Sequence, residues 1–199
     1  MIEQKILIVE DELLTAESIS VLLEEEDYTV IGIARDAATA LRLSSQPQGW
    51  PTVVICDIGL RGDVSGIELA EQLKQLYNCS IIFLTAFSDT KTVGAAAETD
   101  PVMYLVKPYT DSQLLVAVQM ACLRILRQTD GNTTSTPILQ LTDREKEVAL
   151  LAAQGLSSKQ IARRLDISIE TVKTHRRRMM SRNNISSFPQ LVYLLNKQV

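Results

Sequence analysis

Five short apolar runs alternate with stretches of helical spacing from Lys5 to about Gln128. The runs lie near residues 5–9, 29–34, 52–56, 81–85 and 102–106. Between them, residues 13–25 carry Leu14, Ile19, Leu22 and Leu23 as an amphipathic face. Residues 66–76 carry Ile67, Leu69, Leu73 and Leu76 in the same way. Strands separated by helices rather than tight turns require a parallel sheet covered on both faces. A final helix of this region is expected over 111–128.

A different regime follows. Residues 129–138 are polar, contain Gly131 and Pro137, and have no apolar period, which marks a flexible linker. Beyond it strand signals are absent and helix starts recur. Thr142 with Glu145, Ser157 with Gln160, and Ser187 with Gln190 have capping-box spacing, and Ser168 is placed to cap a further helix. Gly155 stands where a left-handed residue ends the first of these helices. The chain of 199 residues therefore divides into an α/β domain over 1–128, a linker over 129–138 and a four-helix domain over 139–199.

Charge follows the same division. From Gln140 onward 11 Lys and Arg stand against 5 Asp and Glu, whereas the preceding residues have 9 against 19. A basic segment joined to an acidic one implies two kinds of partner, with nucleic acid the first candidate for the basic part. Cys56, Cys79 and Cys122 are few, odd in number and apolar in setting, so they are expected as reduced core thiols. No apolar run approaches the roughly 20 residues that span a bilayer, and the start lacks a signal-peptide pattern. Residence in the cytoplasm, with no membrane partner, is expected.

The strand ends carry the chemistry. Glu10 and Asp11 follow the first run, Asp57 the third, Thr85 and Ala86 the fourth, and Lys107 the fifth. In an open parallel sheet the carboxyl ends share one edge, where ligands bind. Three carboxylates, a hydroxyl and an ammonium would converge there. Carboxylates hold a phosphoryl group only when a cation offsets their charge, and Mg²⁺ takes such oxygen ligands. Asp57 has the character of a nucleophile that would form an acyl phosphate, with Lys107 and Thr85 stabilising the phosphoryl oxygens. Ala86 leaves room for entry.

Val9-Glu10-Asp11, Cys56-Asp57-Ile58, Leu84-Thr85-Ala86 and Tyr104-Leu105-Val106-Lys107-Pro108 together resemble the receiver domain of two-component response regulators. The resemblance implies a flavodoxin-like five-stranded parallel sheet, Asp57 as phosphoacceptor and a Mg²⁺ pocket formed by Glu10, Asp11, Asp57 and the Gly59 carbonyl. It implies Thr85, Ala86 and Lys107 as phosphoryl-binding positions, and Tyr104 as the switch aromatic that turns inward when Thr85 moves toward the phosphoryl group. Two features depart from the family pattern. Glu10 replaces the more usual Asp, and the loop 58–66 lacks a frequent proline and is one residue longer.

Residues 141–192 resemble the helix-turn-helix output domain of LuxR/FixJ/NarL regulators. The matching stretches begin Leu141-Thr142-Asp143-Arg144-Glu145, Gly155-Leu156-Ser157-Ser158-Lys159 and Glu170-Thr171-Val172-Lys173-Thr174-His175. On a helix after Ser168, residues Ile169, Val172 and Met179 approximate one apolar stripe. Lys173, Thr174 and Arg177 on the other side are the candidates for base contact in the major groove. Lys159, Thr171, Arg176 and Arg178 are candidates for phosphate contact. His175 is expected to pack or touch backbone, and Asn183, where the family often has leucine, to loosen its surroundings. Leu191, Val192, Leu194 and Leu195 offer a surface that closes the core and, in part, a two-fold interface.

The resulting expectation is a transcriptional response regulator, not an enzyme. A sensor histidine kinase would phosphorylate Asp57, controlling homodimerisation and binding to double-stranded promoter DNA. Occlusion of the recognition helix and phosphorylation-driven dimerisation both suit a flexible linker. A phosphohydrolase would need a second acid/base group and a substrate cap, which the sequence lacks. The remaining rivals are an adaptor that passes phosphate to another protein and a DNA binder that acts without phosphorylation.

Overall fold

A computed structural model describes residues 4–47, 49–86, 94, 96–129, 139–185 and 187–196. Two compact units are present, Gln4–Thr110 and a second beginning at Asp111. In the first, β1 (Lys5–Val9), β2 (Thr29–Ala34), β3 (Val53–Asp57), β4 (Ser80–Thr85) and β5 (Met103–Val106) form one sheet in the order β2-β1-β3-β4-β5. All four pairings are parallel. The flavodoxin-like expectation therefore holds, with strand limits within one residue of those read from the sequence. Helices of this unit include α1 (Leu13–Glu25), α2 (Ala37–Ser44) and α3 (Gly66–Tyr77).

Alternation along the strands explains why their sequences are almost uniformly apolar. Leu7, Val9, Val54, Cys56, Ile81 and Phe83 share a core with Ala40 of α2 and Leu69, Ala70 and Leu73 of α3. Their neighbours Ile6, Ile8, Ile55, Ile82 and Leu84 point to the opposite side and are equally withdrawn from water. Helix α1 packs on β1 and β2 and buries Ala16, Ile19 and Leu23. Leu14 and Leu76 are corrections to the expected faces, since they are 75% and 63% exposed. Leu14 lies across α1 from the buried Ala16, Ile19 and Leu23, and Leu76 lies in the last turn of α3. All three cysteines are free and buried; burial pushes the Cys79 thiol up to about 12.

Two close approaches shape the loop after β3. Ile58 N–H donates to the Leu84 carbonyl at 3.0 Å, and Gly66 N–H donates to the Ile58 carbonyl at 3.3 Å. A Cβ on Gly66 would collide with the Asp57 carbonyl oxygen, so only glycine lets α3 begin there. Ser65 and Glu68 close a capping box on that end of α3.

The second unit contains α4 (Asp111–Thr129), α5 (Asp143–Ala153), α6 (Ser158–Leu165), α7 (Ile169–Arg182) and α8 (Phe188–Asn196). The capping boxes at Thr142/Glu145 and Ser157/Gln160 form, and Ser168 caps α7. Gly155 has φ +85°, the left-handed residue expected after α5. Val148, Ile161, Val172, Met179 and Leu191 lie in one core. Helix α4 packs against α8, and Gln119 Nε2 donates to the Ala152 carbonyl at 2.7 Å. Those contacts group α4 with the helical unit, so the compact division falls at Thr110/Asp111. Residues 130–138 of the expected linker lie outside the described residues. Among the described residues no helix is long and apolar enough to cross a membrane.

Glu145 gives the second unit a pH signature. It is 2% exposed, accepts from Thr142 N–H at 2.9 Å and pairs with Arg182 at 2.7 Å. Burial works to raise its pKa, but the Thr142 and Arg182 hydrogen bonds outweigh burial and hold it below the usual 4.5. A depressed carboxyl contributes stability above its unfolded pKa and loses it as pH falls through the folded value. Glu145→Gln is expected to cost about 1–2 kcal/mol at pH 7. In thermal unfolding of the full chain, the gap from wild type should narrow only below the ordinary carboxyl pKa of 4.5.

Candidate functional site

The order β2-β1-β3 makes a topological switch point between β1 and β3, since the chain leaves them in opposite directions along the sheet. Glu10 and Asp11 follow β1 and Asp57 ends β3, so the switch point is acidic. One oxygen from each of the three carboxylates lies within 4.8 Å of the others. Glu10 is only 1% exposed and Asp57 8%. Two such buried anions require a cation.

Lys107 supplies it. Its Nζ lies 2.6 Å from Glu10 Oε2 and 2.8 Å from Asp57 Oδ2. Its backbone is fixed by donation from Lys107 N–H to the Thr85 carbonyl at 2.8 Å. Burial disfavours the ammonium, yet hydrogen bonds to Asp57 and Glu10 outweigh it and hold the lysine above its ordinary pKa. Burial, reinforced by repulsion from Asp57, raises the Glu10 carboxyl despite Lys107. The glutamate at this position meets the ammonium through Oε2. Its other oxygen accepts from Glu12 N–H at 3.3 Å.

Gly59 N–H donates to Asp57 Oδ1 at 3.0 Å, orienting the carboxylate. Thr85 is half-buried at the end of β4 and Ala86 is exposed beside it. The Tyr104 ring stacks on Phe83 with centroids 5.8 Å apart. Its hydroxyl is buried and has no hydrogen-bond partner among the described residues. An all-oxygen donor set of three carboxylates suits a hard divalent cation.

Residues missed by sequence reasoning surround Asp11. Arg61 Nε pairs with Asp11 Oδ2 at 2.9 Å, and Arg35 Nε donates to the Asp11 carbonyl at 3.2 Å. The longer loop carrying Arg61 was the available signal. Tyr109 also faces the charged group, and burial pushes its hydroxyl up to about 12.

In the second unit, α7 presents Arg177 and Arg178 to solvent, while Lys173 and Thr174 are half-buried. Lys159 is exposed on α6. Thr171 exchanges a hydroxyl contact of 2.8 Å with Ser168, so capping shares that hydroxyl. Arg177 makes an exposed 3.4 Å pair with Glu170.

Arg176 is not a phosphate contact in this arrangement, which corrects the sequence reading. It is 2% exposed, donates to Ser158 Oγ at 3.0 Å and lies 4.3 Å from the centre of the Phe188 ring. The inward stripe is Val172, Arg176 and Met179, and Ile169 is 45% exposed. Asn183 likewise does not loosen its site. Its side chain donates to Met179 O at 2.8 Å and accepts from Gln140 N–H at 2.8 Å.

Residues 6–119 match the family model of the response regulator receiver domain, and residues 139–195 that of the bacterial regulatory proteins of the luxR family. The transcriptional regulatory protein LiaR of Bacillus subtilis (strain 168) is 30% identical over 202 residues, covering 94% of this chain and 93% of its own. YdfI of the same organism, also a transcriptional regulatory protein, is 32% identical over 184 residues, covering 85% of this chain and 84% of its own. The solved response regulator StyR superposes with a TM-score of 0.54 at 30% identity, covering 98% of this chain and 100% of that one. The second family model is of regulatory proteins, and both relatives are transcriptional regulatory proteins. Acidic switch point, basic helical unit and sequence likeness converge: the chain belongs to the two-component response regulators, as a receiver domain followed by a LuxR-type DNA-binding domain.

Proposed function

We propose that a sensor histidine kinase phosphorylates Asp57, and that this controls homodimerisation and promoter binding by the domain over 139–199. The observation that carries this reading is the Lys107 ammonium shared between Glu10 and Asp57 beside a third carboxylate. An Asp57 carboxylate oxygen attacks phosphorus while the bond from phosphorus to the phosphohistidine nitrogen breaks, its electron pair leaving with the imidazole. Lys107 then serves the phosphoryl oxygens instead of the free carboxylate. Thr85 donates its hydroxyl to the same oxygens, and the small Ala86 keeps the approach open. Glu10, Asp11, Asp57 and the Gly59 carbonyl would hold Mg²⁺. When bound, it supplies the positive charge that offsets the carboxylates and the incoming phosphoryl group.

Movement of Thr85 toward the phosphoryl group opens space that Tyr104 fills, so a local charge event biases a two-state surface. The domain boundaries of this reading are 1–128, 129–138 and 139–199, in the cytoplasm. Dimerisation through part of α8 pairs two copies of α7 on a two-fold operator. Lys173, Thr174 and Arg177 read bases, and Lys159, Thr171 and Arg178 contact phosphates. The 3.4 Å Arg177–Glu170 pair is exposed and is no obstacle, being worth about 0–1 kcal/mol.

Intact mass after incubation with Mg²⁺ and a small phosphodonor tests the input. A single labile phosphoryl adduct is expected on wild type and none on Asp57→Asn; equal adducts on both would move the acceptor elsewhere. For the output, an operator selected from random duplexes is titrated by fluorescence anisotropy. Arg177→Ala should cost about 1–3 kcal/mol and relax preference at one base position. Arg178→Ala should weaken all sequences alike and reduce the salt slope by about one.

A further inference from the structure

We infer that Arg61 is a displaceable counter-ion of the acidic site: it holds Asp11 when no metal is bound and so sets how tightly a divalent cation binds. This role rests on the metal-binding reading above and adds a specificity element contributed by the loop after β3. Lys107 pairs with Glu10 and Asp57. Asp11 Oδ2 pairs instead with Arg61 Nε at 2.9 Å. Three carboxylates are thus met by two side-chain cations, one following β5 and one from the loop.

The loop geometry explains how the guanidinium arrives. Both ends are fixed at Ile58, by Ile58 N–H on the Leu84 carbonyl and Gly66 N–H on the Ile58 carbonyl. Leu60 is buried and anchors the loop's inner side. Gly62 has φ +133°, a conformation L side chains rarely adopt, so the chain turns immediately after Arg61. The loop therefore turns at Arg61, and its guanidinium reaches the Asp11 carboxylate. Arg35 reaches the same residue but holds only its backbone carbonyl, leaving the carboxylate to Arg61.

A dication and a guanidinium on one carboxylate repel each other, so each weakens binding of the other by the same factor. The Arg61 side chain is 91% exposed while that of Asp11 is 18% exposed. One partner is held and the other can swing away into water. An exposed pair of this kind corresponds to an effect of about two- to fivefold, screened by salt.

The test is a titration of the full-length chain with MgCl₂, followed by backbone amide shifts, comparing wild type with Arg61→Gln. At about 20 mM KCl the variant should bind Mg²⁺ about two- to fivefold more tightly, and at about 500 mM KCl the ratio should fall toward one. Wild-type binding with an equal or weaker Arg61→Gln affinity at low salt overturns the role of Arg61 alone. A difference that survives high salt also overturns it, because the cause would then be loop conformation rather than charge. Absence of Mg²⁺ binding in both proteins overturns the metal site itself and the counter-ion role with it.

Discussion

Parallel pairing of β1 with β3, running from Ile6 opposite Val53 to Val9 opposite Cys56, is the constraint from which the acidic site follows. It sets the end of β1 beside the end of β3, and with them Glu10 beside Asp57. No local preference would place two carboxylates in so dry a position. The sheet can do so because its central strands are secured by apolar burial on both faces, with Leu7, Ile8, Val54 and Ile55 all withdrawn from solvent. A fully buried side chain of this class contributes about 1.5–3 kcal/mol, and many such contributions offset the electrostatic cost at one edge. Pairing of β4 with β5 then delivers Lys107, whose single ammonium makes the two buried anions tolerable.

Much of this was legible because the sheet writes a simple code. Runs such as Ile6-Leu7-Ile8-Val9 name a strand buried on both faces, and the residue types at their ends name the chemistry. Helix faces were less legible. Leu76 satisfies helical spacing, but spacing does not reveal where along a helix contact with the sheet stops, and Leu14 lies about 180° around α1 from Leu23. The Arg61–Asp11 pair was illegible for a different reason, since it depends on the path of a loop and not on any periodic pattern. Arg176 was the one misreading with its correction already in the sequence. Val172, Arg176 and Met179 are separated by four and three residues, the spacing of an inward stripe. The adjacent Arg177 and Arg178 made a solvated basic run the more obvious reading.

The two units use buried charge differently. In the sheet unit, charge is concentrated at the carboxyl edge of the strands, where Lys107 meets Glu10 and Asp57. In the helical unit, Glu145 with Arg182 and Arg176 with Phe188 are cross-braces: the first joins α5 to α7 and the second joins α7 to α8. Arg176 also reaches Ser158 at the first turn of α6, so one guanidinium ties α7 to both α6 and α8.

That arrangement fixes the rotational phase of α7. Successive residues on a helix are about 100° apart, so pinning Arg176 inward determines which of its neighbours look outward. Aliphatic packing by Val172 and Met179 would tolerate some roll about the axis, because such contacts lack direction. The hydrogen bond to Ser158 and the contact with the Phe188 ring are directional, and they do not. In the proposed mode of binding, the buried Arg176 side chain is therefore the one that would register Lys173, Thr174 and Arg177 against DNA.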